Sequence, residues 1–598
     1  MSPADLSRRK FLGMIGVTAV VATPAVRPAL GAAAGAARWS DPRTWGGRVP
    51  GSNDVALVSR TVVLDRDTNV AGVVVAKGGA LVFDRDRSMT LTTKNNVIVR
   101  GRLVMRPRNH GKRHRMIFQG VNEGSFAGGG VDPVDSDVGL WVVDGGKLDI
   151  VGAKKKAWVR AAGSVPGGTR KLSLKGKAKG WRRGDSVVIT PTGSTSDSDH
   201  YTRFDSSALR SARGKEIVLS GATSSAHPVV KAGKRTFTAE VLNLSRNVVI
   251  QGTPGGRSHI FIRSTSPQRI ENCLIRHMGP RKKDLKILGR WPLHFHQSFN
   301  GSRGSVVKGV VVRDVGSHAF VAHASHGVKF VDCIAYDAVE TPFWWDPEPK
   351  SGTLDALYKR CVAARCLRGD ANVAGFAAFR GQGNRMRNCV AVGVQSRFDT
   401  SAGFQWPGAT DEGLWDEASR LVAHNNQGPG IRFWSNSGLR HHIDAGSAFY
   451  NNGGVGILHG AYGNVATYSG ISSFGNRKPD TRFHARTPES AGPRQEWTNS
   501  DLGRIWIDMN IGNDARPILV RNCTIDSVTV ASRNDVALTA ADFIRCTQNG
   551  ADIRPADVTW ESAPVGWSLR FKRLNGSCWK YEMASSGARV VDPIPDIE

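Results

Sequence analysis

The sequence predicts an all-β protein, a right-handed parallel β-helix with a β-rich module ahead of it. Three observations carry this. Short β-branched runs broken by Gly, Asn and Asp dominate a chain of 598 residues with 68 glycines, and long amphipathic helical patterns are scarce. Short motifs recur at the length of a solenoid coil. Leu293-His294-Phe295-His296, Phe320-Val321-Ala322-His323 and Phe343-Trp344-Trp345-Asp346 align with apolar residues at the first and third positions, in steps of 27 and 23 residues. Finally, Gly before an apolar residue returns at Gly375-Phe376, Gly403-Phe404, Gly430-Ile431 and Gly456-Ile457, as coil corners require.

Taken in order, residues 1–36 read as a targeting segment. Ser7-Arg8-Arg9-Lys10-Phe11-Leu12 is a twin-arginine signature, the apolar run Leu12–Val21 follows, and small residues cluster at Ala32–Ala36. The expectation is a secreted protein exported by the twin-arginine route, with no membrane span after the signal is removed. Residues 38–110 form the strand-rich module: Asp54–Val58, Thr61–Asp65, Gly72–Val75, Leu81–Phe83 and Val97–Gly101 alternate as strands do. Residues 111–244 read as a β-rich connection with basic loops such as Lys154-Lys155-Lys156, residues 245–550 as the β-helix, and residues 551–598 as a cap carrying Trp560, Trp567, Phe571 and Trp579.

The formal charge is +30, of which the targeting segment supplies about +3, so the remainder is suited to a polyanion. Outside a cell that points to acidic polysaccharide rather than nucleic acid. Cys333, Cys361 and Cys389 follow Asp332, Arg360 and Asn388 at a step of 28, a coil period and not a zinc-site spacing. An interior ladder of thiols is expected, with disulfides left open by the compartment. Walker loops, HExxH and GxSxG with triad context are absent.

The candidate site lies on the aligned coils. Strand alternation sends Leu293 and Phe295 one way and His294 and His296 the other. Parallel coils lie about 4.8 Å apart, so His296, His323 and Asp346 form an outward column. Such a donor set favours zinc or another transition metal over calcium. Without a metal, Asp346 orients a histidine that works as general acid or base. Glu340 is a further catalytic candidate, with Asp337 near it. Arg290 at the rim, Trp344, Arg380, Arg432 and Trp434 are candidates for binding sugar rings and carboxylates.

The motifs W-x-D-P-x-T-W at Trp39–Trp45, Gly180-Trp181-Arg182-Arg183-Gly184-Asp185, Ala239–Val248 and His277-Met278-Gly279 with Gly289–His296 (GRWPLHFH) resemble the cell-migration-inducing hyaluronidase and fibrocystin-like family, whose eight-glycine domain precedes β-helix repeats. The similarity covers roughly 38–350. It implies hyaluronidase-like activity, with His323 matching a family histidine and Asp346 a family glutamate. One departure is that a family histidine expected near Thr341 is missing, with Glu340 beside it. The expected function is therefore a secreted depolymerase of an acidic, hyaluronan-like polysaccharide, a glycoside hydrolase ahead of a lyase. The alternative is a non-catalytic extracellular glycan-binding or cell-surface module. The sequence leaves the oligomeric state open.

Overall fold

A computed structural model describes residues 36–597, apart from 233–234, 345–351, 368, 370–372, 378–380, 396–400, 407–414, 434–439, 460–464, 484–494, 509–516 and 532–538. Residues 1–35, Asp346, Arg380 and Trp434 lie outside the described residues. Residues 37–598 form one unit. It is a parallel β-helix in which each coil gives one strand to each of three sheets. One coil runs His259–Ser264, Arg269–Glu271, Cys273–Arg276, and the next runs Leu293–Phe299, Val306–Lys308, Val311–Val315. The first strand of each trio belongs to a sheet of sixteen described strands, called here the site sheet; the others build a second and a third sheet.

The strands of the N-terminal module are the first coils of this same helix, not a body packed against it. Val55–Val58 and Gly72–Val75 pair in parallel and stand in the site sheet ahead of Gly139–Asp144 and His259–Ser264. The expected start of the helix at 245 is thus corrected to residue 37. The connection also divides differently. His114–Phe118, Gly139–Asp144 and Lys147–Val151 are helix strands, whereas six strands within Trp158–Asn243 form a separate, antiparallel sheet. The insertion lays Trp158 and Leu242 of that sheet, and Phe237 of the hairpin Val230–Ala232/Arg235–Phe237, against Val311, Ile334, Val362 and Val390 on the outward face of the third sheet.

The interior is a stack of like on like. Phe320, Phe343, Phe376 and Phe404 lie ring over ring at 4.8, 4.4 and 5.1 Å in successive coils. Between the second and third sheets each coil turns through one residue in the left-handed region, as at Asn272, Asp332, Arg360, Asn388, Arg420 and Asn522. Asn, Asp and Gly accept that conformation most readily. The next side chain points inward, and at Cys333, Cys361 and Cys389 it is a fully buried thiol. Each Sγ–H donates to a carbonyl of the preceding coil, Cys361 to Phe330 at 3.4 Å and Cys389 to Tyr358 at 3.5 Å. The eight cysteines are free thiols. At the far end Ser568–Lys572, Cys578–Ala584 and Gly587–Val591 form an antiparallel meander over buried Trp567, Phe571 and Trp579. Among the described residues no helix is long and apolar enough to cross a membrane.

Candidate functional site

The register of the site sheet assembles the histidines. Leu293 pairs with Phe320 and Phe295 with Ala322, and these four belong to the core. The alternate pairs, His294 with Val321 and His296 with His323, therefore face outward. Val321 pairs in turn with Trp344. After His296 the ladder breaks register until Phe299 meets Ser325. Gln297 and Phe299 both have φ near +43°, strained for side chains of that size. Such irregularities re-aim side chains at the edge of a site.

This outward face is partly roofed by residues 126–138. Arg290 holds the roof: its Nε donates to Asp137 Oδ2 at 2.6 Å and its Nη2 to the Gly129 carbonyl. The guanidinium lies 4.6 Å from the Trp141 ring, and the residue is 1% exposed. Asp137 also accepts from the backbone N–H groups of Ala127 and Gly128, so the pair is fully engaged. The expectation of Arg290 at a rim is corrected, because a buried guanidinium with a carboxylate partner is spent on structure. His259 sits under the same roof against Trp141, 4.8 Å between centroids, and a Cβ at Gly139 would come within 2.5 Å of its ring. Only glycine leaves room there.

His294, His296 and His323 bring one nitrogen each to within 4.8 Å of one another. His294 Nδ1 lies 2.8 Å from the Gly289 carbonyl, which places its proton on Nδ1 and leaves Nε2 as a lone pair. His296 Nδ1 lies 3.4 Å from that Nε2 and 3.1 Å from His323 Nδ1. Nitrogens on a tetrahedral zinc ion stand about 3.3 Å apart, so these spacings fit a shared cation as well as a shared proton. Burial drives His294 well below the ordinary imidazole range. Burial and then the charges of His323 and Arg263 push His296 down to about 3. Both rings are thus neutral at physiological pH, the state a metal or an acidic proton needs. Among the described residues, the cluster is three imidazoles without a carboxylate.

Trp291 joins the cluster from the side, 4.2 Å from the His294 ring. Trp344 is half-buried, with one face stacked on His318 at 4.2 Å and its edge 5.0 Å from Trp291. Glu340 is buried and pairs with Arg281 at 3.2 Å. Asp337 pairs with Arg365, and burial raises its carboxyl above the usual range. Arg432 is buried as well, at odds with its expected place on the solenoid surface.

Sequence reasoning missed the cleft next to His296. It has a volume near 290 Å³ and is lined by Arg100, Asp144, Arg263, Gln297 and Phe299 among others. Arg100 is paired with Asp144. Arg263 is exposed and forms no ion pair among the described residues. Phe299 is 47% exposed, unusual for a phenyl ring. One signal was available: Arg263 lies two residues beyond Phe261, which pairs with His294.

Residues 44–162 match the G8 domain. The chain carries a G8 domain. The G8 match takes in the first coils, with the site-sheet strand Gly139–Asp144, and ends just past the first strand of the inserted sheet, Trp158–Arg160. Fibrocystin-L of Homo sapiens is 24% identical over 417 residues, 60% of this chain, and that of Mus musculus is 24% identical over 349 residues, 50% of this chain. The chain spans only 10% and 8% of those relatives. Among solved structures, the Agl-KA catalytic domain is 10% identical with a TM-score of 0.33, covering 69% of this chain and 88% of its own. The Pseudomonas phage phi297 tailspike gp61 is 10% identical with a TM-score of 0.20, covering 85% and 75%.

Proposed function

We propose that this G8 protein is a secreted depolymerase of an acidic, hyaluronan-like polysaccharide, acting in the cleft beside His296. The observation that carries the reading is the convergence of three imidazole nitrogens next to a cleft that offers a free guanidinium. Arg263 receives a uronate carboxylate as a charge-assisted pair. Phe299 offers a face to a sugar ring. His296, half-buried and neutral, adjoins the cleft through its chain neighbour Gln297 and the nearby Arg263. The Gly289 carbonyl fixes the His294 tautomer, so Nε2 of His294 and Nδ1 of His296 and His323 are the atoms that would hold a divalent transition metal. Such an ion, when bound, supplies a Lewis acid and lowers the pKa of a coordinated water.

The test is incubation of the purified protein with hyaluronan, chondroitin sulfate and bacterial exopolysaccharides, with and without added zinc and with chelator. A fall in polymer size is expected, lost in His296→Ala and in His323→Ala while their unfolding temperatures stay near that of the parent. New ultraviolet absorbance from unsaturated uronic ends would make the reaction a lyase reaction instead of hydrolysis. Unchanged size for every polymer, with metal present, overturns the depolymerase. Retention of polymer without cleavage would mark a glycan-binding module.

A further inference from the structure

A second cleft, away from the histidines, opens where the inserted antiparallel sheet meets the helix. It has a volume near 500 Å³, within the range of small-molecule sites. One wall is a row of left-handed corner residues from successive coils: Arg360, Asn388, Arg420 and Gly446. Corners in adjacent coils are about 4.8 Å apart, so the row makes an elongated trough. The opposite wall belongs to the inserted sheet and its loops, with Lys156, Arg160, Lys175 and Arg235; Trp158 and Phe237 form the floor. The lining contains six cationic side chains and no carboxylate.

Two of these cations are neutralised from outside the cleft. Arg160 pairs with Glu240 at 2.8 Å, and Arg360 pairs with Asp332 at 2.7 Å. Arg235 bonds only neutral oxygens: the Ser447 carbonyl at 3.0 Å, Ser472 Oγ at 2.8 Å and the Gly446 carbonyl at 2.6 Å. Lys156 lays its amine over Gly176. Among the described residues neither that amine, nor the amine of Lys175, nor the guanidinium of Arg420 has an ion pair. Arg420 also occupies a corner conformation that Asn, Asp and Gly fill more readily. Burial and then the neighbouring guanidiniums, Arg360 beside Lys156 and Arg160 beside Lys175, hold both amines below the ordinary lysine range. An anion in the trough would relieve that repulsion.

We infer that the trough between the inserted sheet and the helix corners binds a segment of anionic saccharide carrying two or more oxyanion groups, a sulfated glycan unit being the best match. Among the described residues Lys156, Lys175 and Arg420 have no ion pair, and Arg235 has only the field of Asp501 as counter-charge. Several positive charges therefore face the trough, and its length spreads their partners over more than one group. Lys156, Lys175 and Arg420 contact the oxyanions and Arg235 supplies background potential. The inference stands apart from the histidine cluster and holds whether or not that cluster is catalytic.

The experiment is calorimetric titration of the full chain with a chondroitin sulfate tetrasaccharide, an unsulfated hyaluronan tetrasaccharide and inorganic sulfate, each at two salt concentrations. The sulfated tetrasaccharide should bind tightest, and more weakly as salt rises. Lys175→Ala with Arg420→Ala, both exposed positions, should leave the unfolding temperature unchanged and weaken binding by roughly tenfold or more. Adding Lys156→Ala should weaken it further. His296→Ala should bind as the parent does. No binding of the sulfated tetrasaccharide, undiminished binding by the double variant, or equally tight binding of inorganic sulfate would each overturn the inference.

Discussion

Two outward faces of the same solenoid are covered in different ways. Over the site sheet, residues 126–138 fold down onto Trp141, His259 and Arg290, and burial strips the charge from the imidazoles beneath. Over the third sheet, the inserted antiparallel sheet docks through apolar side chains and leaves its cations along an open trough. The ladder is the same under both; what differs is whether every cation the cover brings to its cleft has a counter-charge. Asp137 does so for Arg290, while nothing in the trough's lining does so for Lys156, Lys175 and Arg420. A covered face thus tunes protonation, and an uncompensated one stores potential for an anion.

The largest effect should come from breaking the roof. Arg290→Met leaves Asp137 buried without its cation, which costs about 3–5 kcal/mol. Denaturant unfolding should record that loss. Hydrogen exchange should quicken across 126–138 and stay unchanged in the inserted sheet; equal loosening of both faces would dissolve the contrast.

Acid should attack the same face. Burial and the charge of Arg290 lower His259 from an ordinary imidazole value of 6.5 to about 3. Between those values the unfolded chain takes up a proton that the folded chain refuses. Stability contributed by neutral burial is therefore whole above pH 6.5 and falls as pH drops toward 3, by about 1.4 kcal/mol per pH unit. The slope of unfolding free energy against pH between 4 and 6.5 should flatten in His259→Phe.

A smaller effect tests the core that both faces share. Cys361→Ala removes one thiol from the ladder and should cost about 1–2 kcal/mol. Reductant should leave the melting curves of parent and variant unchanged, since the cysteines are thiols. The smallest effect on stability belongs to Arg263→Ala, within about 0.5 kcal/mol. That variant should nevertheless bind acidic polysaccharide more weakly, seen as earlier elution from an immobilised hyaluronan column as salt rises.

How much of this was legible in the sequence depended on distance along the chain. The thiol ladder and the pairing of His296 with His323 follow from coil spacing alone, and both lie where that spacing puts them. Arg290 was misplaced because its partner Asp137 stands 153 residues away. No local pattern links the two. The helix start was misplaced because the first coil is short: Val55 pairs with Gly72, a step of 17 residues, against 27 from Leu293 to Phe320 and 33 from Phe343 to Phe376. Short coils look like an independent meander until their strands are seen to align with later ones. The basic trough was invisible for the same reason, since its two walls come from separate parts of the chain. Arg160 and Arg360 read alone are only surface charges.

The inserted sheet also imposes an order of events on folding. It leaves the helix after Val151 and the chain rejoins it at Val248, yet it grips coils made much later. Arg235 bonds Gly446, Ser447 and Ser472, and Arg477 bonds the Thr195 carbonyl across 282 residues. Coils stacking from the N-terminus can form as the chain emerges, each on its predecessor. The inserted sheet cannot finish docking until the late coils exist. Its apolar underside, with Trp158, Phe237 and Leu242, is covered coil by coil from Val311 onward, and the closing of the longest-range contacts is the slow step the topology builds in.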